Sequence, residues 1–60
     1  MKTIFYIEQY GSFKDVEEKD YLVQLSVGDE FVYEELSYKI TEVKFCISSD
    51  TLRIYSDKRL

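Results

Sequence analysis

The sequence predicts an all-β domain, either a small five-stranded barrel or a strongly bent antiparallel sheet. From Val27 to Tyr55, apolar residues recur at every second position, as in strands that bury one face and expose the other. The chain contains no Pro and only two Gly, so flexible joints are few. Its six Tyr and four Phe supply large rings for a small core.

Sixty residues predict one small β domain spanning residues 1–60. A chain of this length buries only about 60% of the surface that its unfolded form exposes, so its stability is marginal without a supplement. Cys46 is the only cysteine and His is absent, which excludes an internal disulfide and predicts no metal site and no cofactor. Association of identical chains remains as a supplement, and we therefore expect a homo-oligomer, most simply a dimer.

The first strand is predicted from Thr3 to Tyr10. Its segment from Ile4 to Ile7 is apolar on both faces, so both faces must be covered. One face can lie on the core of the domain. The other face requires either a second layer or a second copy of the chain.

Residues 12 to 20 allow two interpretations. Gly11-Ser12, flanked by Tyr10 and Phe13, is typical of a two-residue hairpin turn with an aromatic pair across it. The spacing from Ser12 to Asp15 also resembles a helix-capping box, which predicts one short helical turn as the alternative. We favour an irregular hairpin that frays into the acidic residues 15–20.

The middle of the chain predicts two further strands. Tyr21 to Leu25 alternates as a second strand, and Glu30 to Tyr33 forms the next one. Gly28 lies in the turn between them, where a positive φ angle favours glycine. Residues 34–37 then form a short loop.

A long strand from Tyr38 to Ile47 carries one irregularity. Up to Ile40 its apolar residues occupy even-numbered positions, and from Val43 onward they occupy odd-numbered ones. One extra residue near Thr41-Glu42 would place all of them on the same face of the strand. This pattern predicts a β-bulge, which bends and twists a strand.

The last hairpin is predicted to turn at residues 48–51 and to continue as a strand from Leu52 to Ser56, with residues 57–60 as a frayed tail. The predicted register places Ile47 opposite Leu52, Phe45 opposite Ile54, Cys46 opposite Arg53 and Lys44 opposite Tyr55.

From Leu22 to Ile54 this arrangement resembles the SH3-like small barrels. The residues that carry the resemblance are Leu25-Ser26-Val27-Gly28-Asp29-Glu30-Phe31, which look like the turn entering the second barrel strand, after a long loop from Tyr10 to Asp20. The chain has no Trp and no Pro, so it lacks the tryptophan pair and the proline of the polyproline-binding groove. The resemblance therefore implies the architecture and no binding residues.

Catalytic and membrane functions are not expected from this composition. Ser or Cys nucleophiles need a positioned base, most often His, and the chain has none. We therefore expect a protein that is not an enzyme. No secretion signal or membrane span is recognisable, and a lone free cysteine fits a reducing compartment, so we expect a cytoplasmic protein without membrane association.

Charge is divided unevenly along the chain. Residues 1–36 carry three basic and nine acidic side chains, whereas residues 37–60 carry five basic and three acidic ones. An acidic surface is predicted at Asp15, Glu17, Glu18 and Asp20. This surface either keeps the protein soluble or directs it to a basic partner.

The basic side chains near the end of the chain suggest a second possibility. Small barrels hold single-stranded nucleic acid with cations beside an aromatic platform. The candidates here are Lys39, Lys44, Arg53 and Tyr55. The net charge of −4 argues against this function, because backbone binding depends on released counterions.

Apolar side chains on the outer face indicate the preferred function. When the inner face fills the core, the residues expected to point outward and form a docking patch are Ile4, Tyr6, Val32 and Tyr55. Tyr is well suited to such a surface because it combines a broad ring with a polar tip. The sequence therefore predicts a protein-interaction module, such as a small accessory or inhibitor protein, whose acidic loops influence partner choice.

Overall fold

A computed structural model, which describes residues 1–58, shows a five-stranded sheet curled into a half-barrel, and these residues contain no helix. The strands are β1 (Lys2–Gln9), β2 (Ser12–Lys19), β3 (Glu30–Tyr33), β4 (Leu36–Cys46) and β5 (Thr51–Lys58). Their order across the sheet is β2-β1-β5-β4-β3. The predicted all-β class is confirmed. The sheet is mixed rather than wholly antiparallel, because β1 and β5 run parallel.

The core lies on the concave side of the half-barrel. Phe5, Ile40 and Ile54 from the three central strands form its buried centre. Phe31 adds an edge-to-face contact with Phe5 at 5.1 Å between ring centroids. Phe45 is 48% exposed, because it pairs with Leu52 close to the turn of the last hairpin.

Residues 20–29 cross the concave side and belong to none of the five strands, although Gly28 and Asp29 make backbone hydrogen bonds with Ile40 of β4. The prediction of a strand from Tyr21 to Leu25 is therefore wrong. The alternation is real, because Val23 and Leu25 pack against the core, but the backbone is held by one side chain. The buried Thr3 hydroxyl donates to the Tyr21 carbonyl at 2.7 Å and accepts from the Val23 amide at 3.0 Å.

The first hairpin turns one residue earlier than predicted. Tyr10 and Gly11 have φ angles of +52° and +82°, which is the pattern of a type I′ turn, and Gln9 pairs with Ser12. Tyr10 is consequently fully exposed, and Phe13 lies opposite Glu8 rather than against Tyr10.

The structure contradicts both the helical turn between residues 12 and 20 and the fraying of residues 15–20. β2 continues as a strand to Lys19. It contains a β-bulge at Val16, since Glu17 pairs with Phe5 and Asp15 pairs with Tyr6. The bulge lets Val16 pack on the core from a strand that is otherwise charged.

The second hairpin also uses a two-residue turn. Glu34 and Glu35 both have positive φ angles, and Tyr33 pairs directly with Leu36. β4 therefore begins at Leu36, and the predicted loop at residues 34–37 is shorter than expected.

The predicted bulge in β4 is confirmed, because the pairing with β5 shifts between Ile40 and Glu42. The predicted register of this hairpin is wrong by two residues. Phe45 lies opposite Leu52, and Lys44 lies opposite Arg53. The turn comprises residues 47–50, with Asp50 at a φ of +53°, so Thr51 already belongs to the strand. A two-residue shift keeps the paired side chains on their predicted faces, whereas Ile47 moves into the turn and is 85% exposed.

β5 extends past its predicted end at Ser56. The buried Ser56 hydroxyl donates to the Tyr6 carbonyl at 2.8 Å, and the strand continues to Lys58. Residues 57 and 58, predicted to fray, are thus paired with β4. The remainder of the predicted tail, residues 59 and 60, lies outside the described residues.

Candidate docking surface on the convex face

Three aromatic rings meet on the convex face of the sheet, and we call Tyr6, Phe13 and Tyr55 the aromatic patch. Tyr6 and Tyr55 are stacked, with ring centroids 4.9 Å apart and an interplanar angle of 13°. Phe13 meets Tyr55 edge to face at 4.9 Å. Phe13 is 50% exposed, and both Tyr residues are half-buried. Such ring contacts fix the side chains, so the patch presents a preformed apolar surface.

The backbone pairing explains why these rings meet. Tyr6 of β1 lies directly beside Tyr55 of β5, and laterally paired residues share one face of a sheet. Phe13 reaches the same face from the edge strand β2. Ile4 lies one alternation from Tyr6 on β1 and pairs with Arg53.

The four residues predicted for the docking patch are therefore only partly assembled. The structure brings Ile4, Tyr6 and Tyr55 together on adjacent central strands. Val32 is 70% exposed and shares the convex face, but it lies on β3 at the far edge, beyond β4. Phe13 takes part instead. Sequence reasoning missed it because the hairpin turn was placed one residue too late.

The basic candidates lie along one side of the aromatic patch. Lys44 and Arg53 are directly opposite each other, and the Lys44 ammonium lies 5.9 Å from the centre of the Tyr55 ring. A hydrogen bond with Tyr55 raises the pKa of Arg53 above its already high ordinary value. Lys39 pairs with Glu30 on one side and Asp57 on the other.

Carboxylates weaken this basic character. The Lys44 ammonium is 3.6 Å from Glu42, which itself lies opposite Tyr55. Glu8 pairs with Phe13 at the edge of the patch, and the Asp57 carboxyl, by hydrogen bonding to Glu8 and by its charge, raises the pKa of Glu8. The convex face is therefore mixed in charge.

The predicted acidic surface is divided between the two faces of β2. Asp15 and Glu18 pair with Tyr6 and Ile4 and so belong to the convex face. Glu17 pairs with Phe5 and faces the concave side, and Asp20 follows the strand. The carboxylate of Glu18 is 3.8 Å from the Lys2 ammonium.

Within residues 1–58, no three His, Cys, Asp or Glu side chains are grouped so that they could hold a metal ion. The same part of the chain has no helix that is long and apolar enough to cross a membrane.

Cys46 carries an activated thiol at the end of β4. Its Sγ lies 3.4 Å from the Ser48 hydroxyl, and hydrogen bonds from Ser48 and then Ser49 lower the pKa of the thiol to about 7. Because the thiolate is the nucleophile, alkylation of Cys46 by iodoacetamide is expected to reach half its maximal rate near pH 7. Ser48→Ala should raise this midpoint. A wild-type midpoint at the ordinary thiol pKa, unchanged by Ser48→Ala, would show that the hydrogen bonds do not act on the thiol.

No protein family model, curated protein or solved structure matches this chain. The geometry of the described residues therefore carries the functional argument.

Proposed function

We propose that this protein is a protein-interaction module that docks through the aromatic patch and associates with a second copy of itself. The observation that carries the proposal is the contact of three rings on the convex face. Nothing else in residues 1–58 forms a layer over that face, since the single segment outside the sheet crosses the concave side.

The residue types suit such a role. Tyr side chains provide wide contact area at low conformational cost and are enriched where binding energy is concentrated. The central strands that carry Tyr6 and Tyr55 are fixed on their concave side by Phe5 and Ile54, their direct neighbours in sequence. A rigid apolar surface loses little entropy on binding.

The charges around the aromatic patch favour a second copy. Asp15 lies on the β2 side and Arg53 lies on the β5 side, whereas Glu18 and Lys44 are already paired within the chain with Lys2 and Glu42. A two-fold axis through the patch sets the acidic side of one chain against the basic side of the other. This arrangement is self-complementary and also buries apolar area that a 60-residue domain lacks.

The alternative function is binding of single-stranded nucleic acid. Its support is the grouping of Lys44, Arg53 and Tyr55 on one face. We give it second place because Glu42 and Lys44 form an ion pair and because Tyr6 stacks on Tyr55. Nucleic-acid backbone binding needs uncompensated positive charge, and base stacking needs a free aromatic face.

The proposal also includes a fold family and a cellular compartment. Five strands in a curled sheet support placement among the SH3-like small barrels. The single thiol supports action in the reducing cytoplasm, and the absence of His from the sequence supports a binding rather than a catalytic role.

Lysine substitutions in the aromatic patch test the proposal. Phe13→Lys and Tyr6→Lys each remove a ring, and the new ammonium groups face Glu8 and Asp15, so both variants should fold. Each is expected to weaken self-association by at least about tenfold, the effect of losing a central binding residue. The measurement is sedimentation velocity over a range of protein concentrations, with circular dichroism as the check of folding.

Tyr10→Lys is the matched control, because Tyr10 is fully exposed on the hairpin turn away from the patch. It should associate as the wild type does. Equal association of all three variants would contradict the docking role. A wild-type chain that stays monomeric but shifts labelled oligothymidine in a gel would instead support the alternative.

A further inference from the structure

The sheet leaves a cleft where the half-barrel stays open. β2 and β3 are the two edge strands, and they contribute the two walls of a cleft of about 220 Å³ on the concave side. The apolar residues that line it are Phe5, Val16, Leu25, Phe31 and Val32. This cleft and the aromatic patch lie on opposite faces of the sheet.

The volume of the cleft limits what it can hold. An apolar cavity of about 150 Å³ accommodates benzene, whereas pockets for whole small-molecule ligands begin at about 300 Å³. A cleft of about 220 Å³ therefore fits one aromatic or branched aliphatic side chain.

One carboxylate and one ammonium line the cleft, and a second carboxylate lies beside its β3 wall. Glu17 and Lys19 line it from β2, Tyr33 lines it from β3, and Glu34 follows Tyr33 in the turn. Partial burial, then the negative charges of Glu34 and Glu17, raise the pKa of Tyr33. Both carboxylates thus act on the same wall. Against the single ammonium of Lys19, the two carboxylates leave the cleft and its rim with a net negative charge.

The edge strands favour an extended ligand. An edge strand offers unpaired backbone N–H and C=O groups to an added segment, and alternate side chains of that segment then point into pockets. β3 has only four residues, and β2 is interrupted by the bulge at Val16, so a short segment fits better than a long strand.

We propose that this cleft binds a short extended segment of a partner protein, which inserts one large apolar side chain between β2 and β3 and sets a Lys or Arg against Glu17 or Glu34. Charge complementarity selects the partner, since the residue beside the apolar anchor must be basic. The site goes beyond the docking role of the aromatic patch and does not depend on it.

Three blocked pentapeptides test the proposal by NMR titration of the full-length ¹⁵N-labelled chain. Their central triads are Lys-Phe-Lys, Glu-Phe-Glu and Lys-Ala-Lys, each between two threonines. The Lys-Phe-Lys peptide is expected to shift the amides of Leu25, Phe31 and Tyr33 and to bind at least about fivefold more tightly than either of the others. Equal binding of the three peptides, no binding, or shifts confined to the convex face would overturn the proposal.

Two charge-neutralising variants on the same strand sharpen the test. Glu17→Gln should reduce the preference for Lys-Phe-Lys over Glu-Phe-Glu, whereas Asp15→Asn, on the opposite face, should leave it unchanged. Equal effects of the two would also overturn the proposal. Phe13→Lys should retain peptide binding, so a failure of the aromatic patch and a failure of the cleft are distinguishable.

Discussion

Replacing Ile54 by alanine is expected to remove about a fifth or more of the stability of the protein. Ile54 has no exposed surface and packs with Phe5 and Ile40 at the centre of the core. Truncating a buried Ile costs about 2–5 kcal/mol, whereas roughly 3–9 kcal/mol stabilises a chain of this length. Urea denaturation followed by circular dichroism measures the difference in the free energy of unfolding.

Ile47→Ala is the matched control for this prediction. Ile47 lies in the turn of the same hairpin and is 85% exposed, so its truncation should change the free energy of unfolding by no more than about 0.5 kcal/mol. Similar losses at both positions would show that the core is not centred on Ile54.

Thr3→Val is expected to destabilise the protein by about 2–4 kcal/mol, although valine has nearly the same shape and suits a strand. The Thr3 hydroxyl is buried and makes two hydrogen bonds to the segment at residues 20–29. The substitution removes both bonds and leaves the Tyr21 carbonyl and the Val23 amide without that partner. The rate of amide hydrogen exchange should also increase more at residues 21–25 than in β5.

Thr41→Val provides the corresponding control. Its hydroxyl donates one exposed hydrogen bond of 3.3 Å to the Tyr55 carbonyl, so the expected cost is no more than about 0.5 kcal/mol. Equal destabilisation by the two substitutions, or unchanged exchange at residues 21–25 in Thr3→Val, would contradict the role of Thr3 in holding that segment.

Alternation predicted β3 and the bulge in β4. Both follow the pattern because Phe31, Ile40 and Val43 face the core. Residues 21–25 alternate for the same reason, yet their backbone bonds to the Thr3 side chain instead of a neighbouring strand. The spacing of apolar residues shows which side chains are buried. It does not show which groups the backbone forms hydrogen bonds with.

Turn positions were harder to predict from the residues. Tyr10, Glu34 and Glu35 adopt positive φ angles that their side chains do not favour, so the hairpin registers impose the turns. Because the turn was predicted at Gly11-Ser12 instead of Tyr10-Gly11, Phe13 was not predicted to belong to the aromatic patch. A turn placed at Tyr10-Gly11 would have set Phe13 opposite Glu8, on the same face as Tyr6.

Part of the candidate docking surface could be predicted, because the alternation of a strand alone assigns its side chains to one face or the other. Tyr6 and Tyr55 were correctly placed outward, and the pairing of β1 with β5 brings them into contact. The separation of Val32 from them depends on strand order, which alternation does not contain. The cleft between β2 and β3 depends on the same long-range order and carries no sequence motif.

The most direct test of the proposed docking role is the mass of the wild-type chain in solution, measured by sedimentation equilibrium from micromolar to millimolar concentration. We expect a reversible rise from one chain to two, because a two-fold axis through the aromatic patch buries its rings and sets Asp15 of one chain near Arg53 of the other. A mass of one chain across the whole range would contradict it.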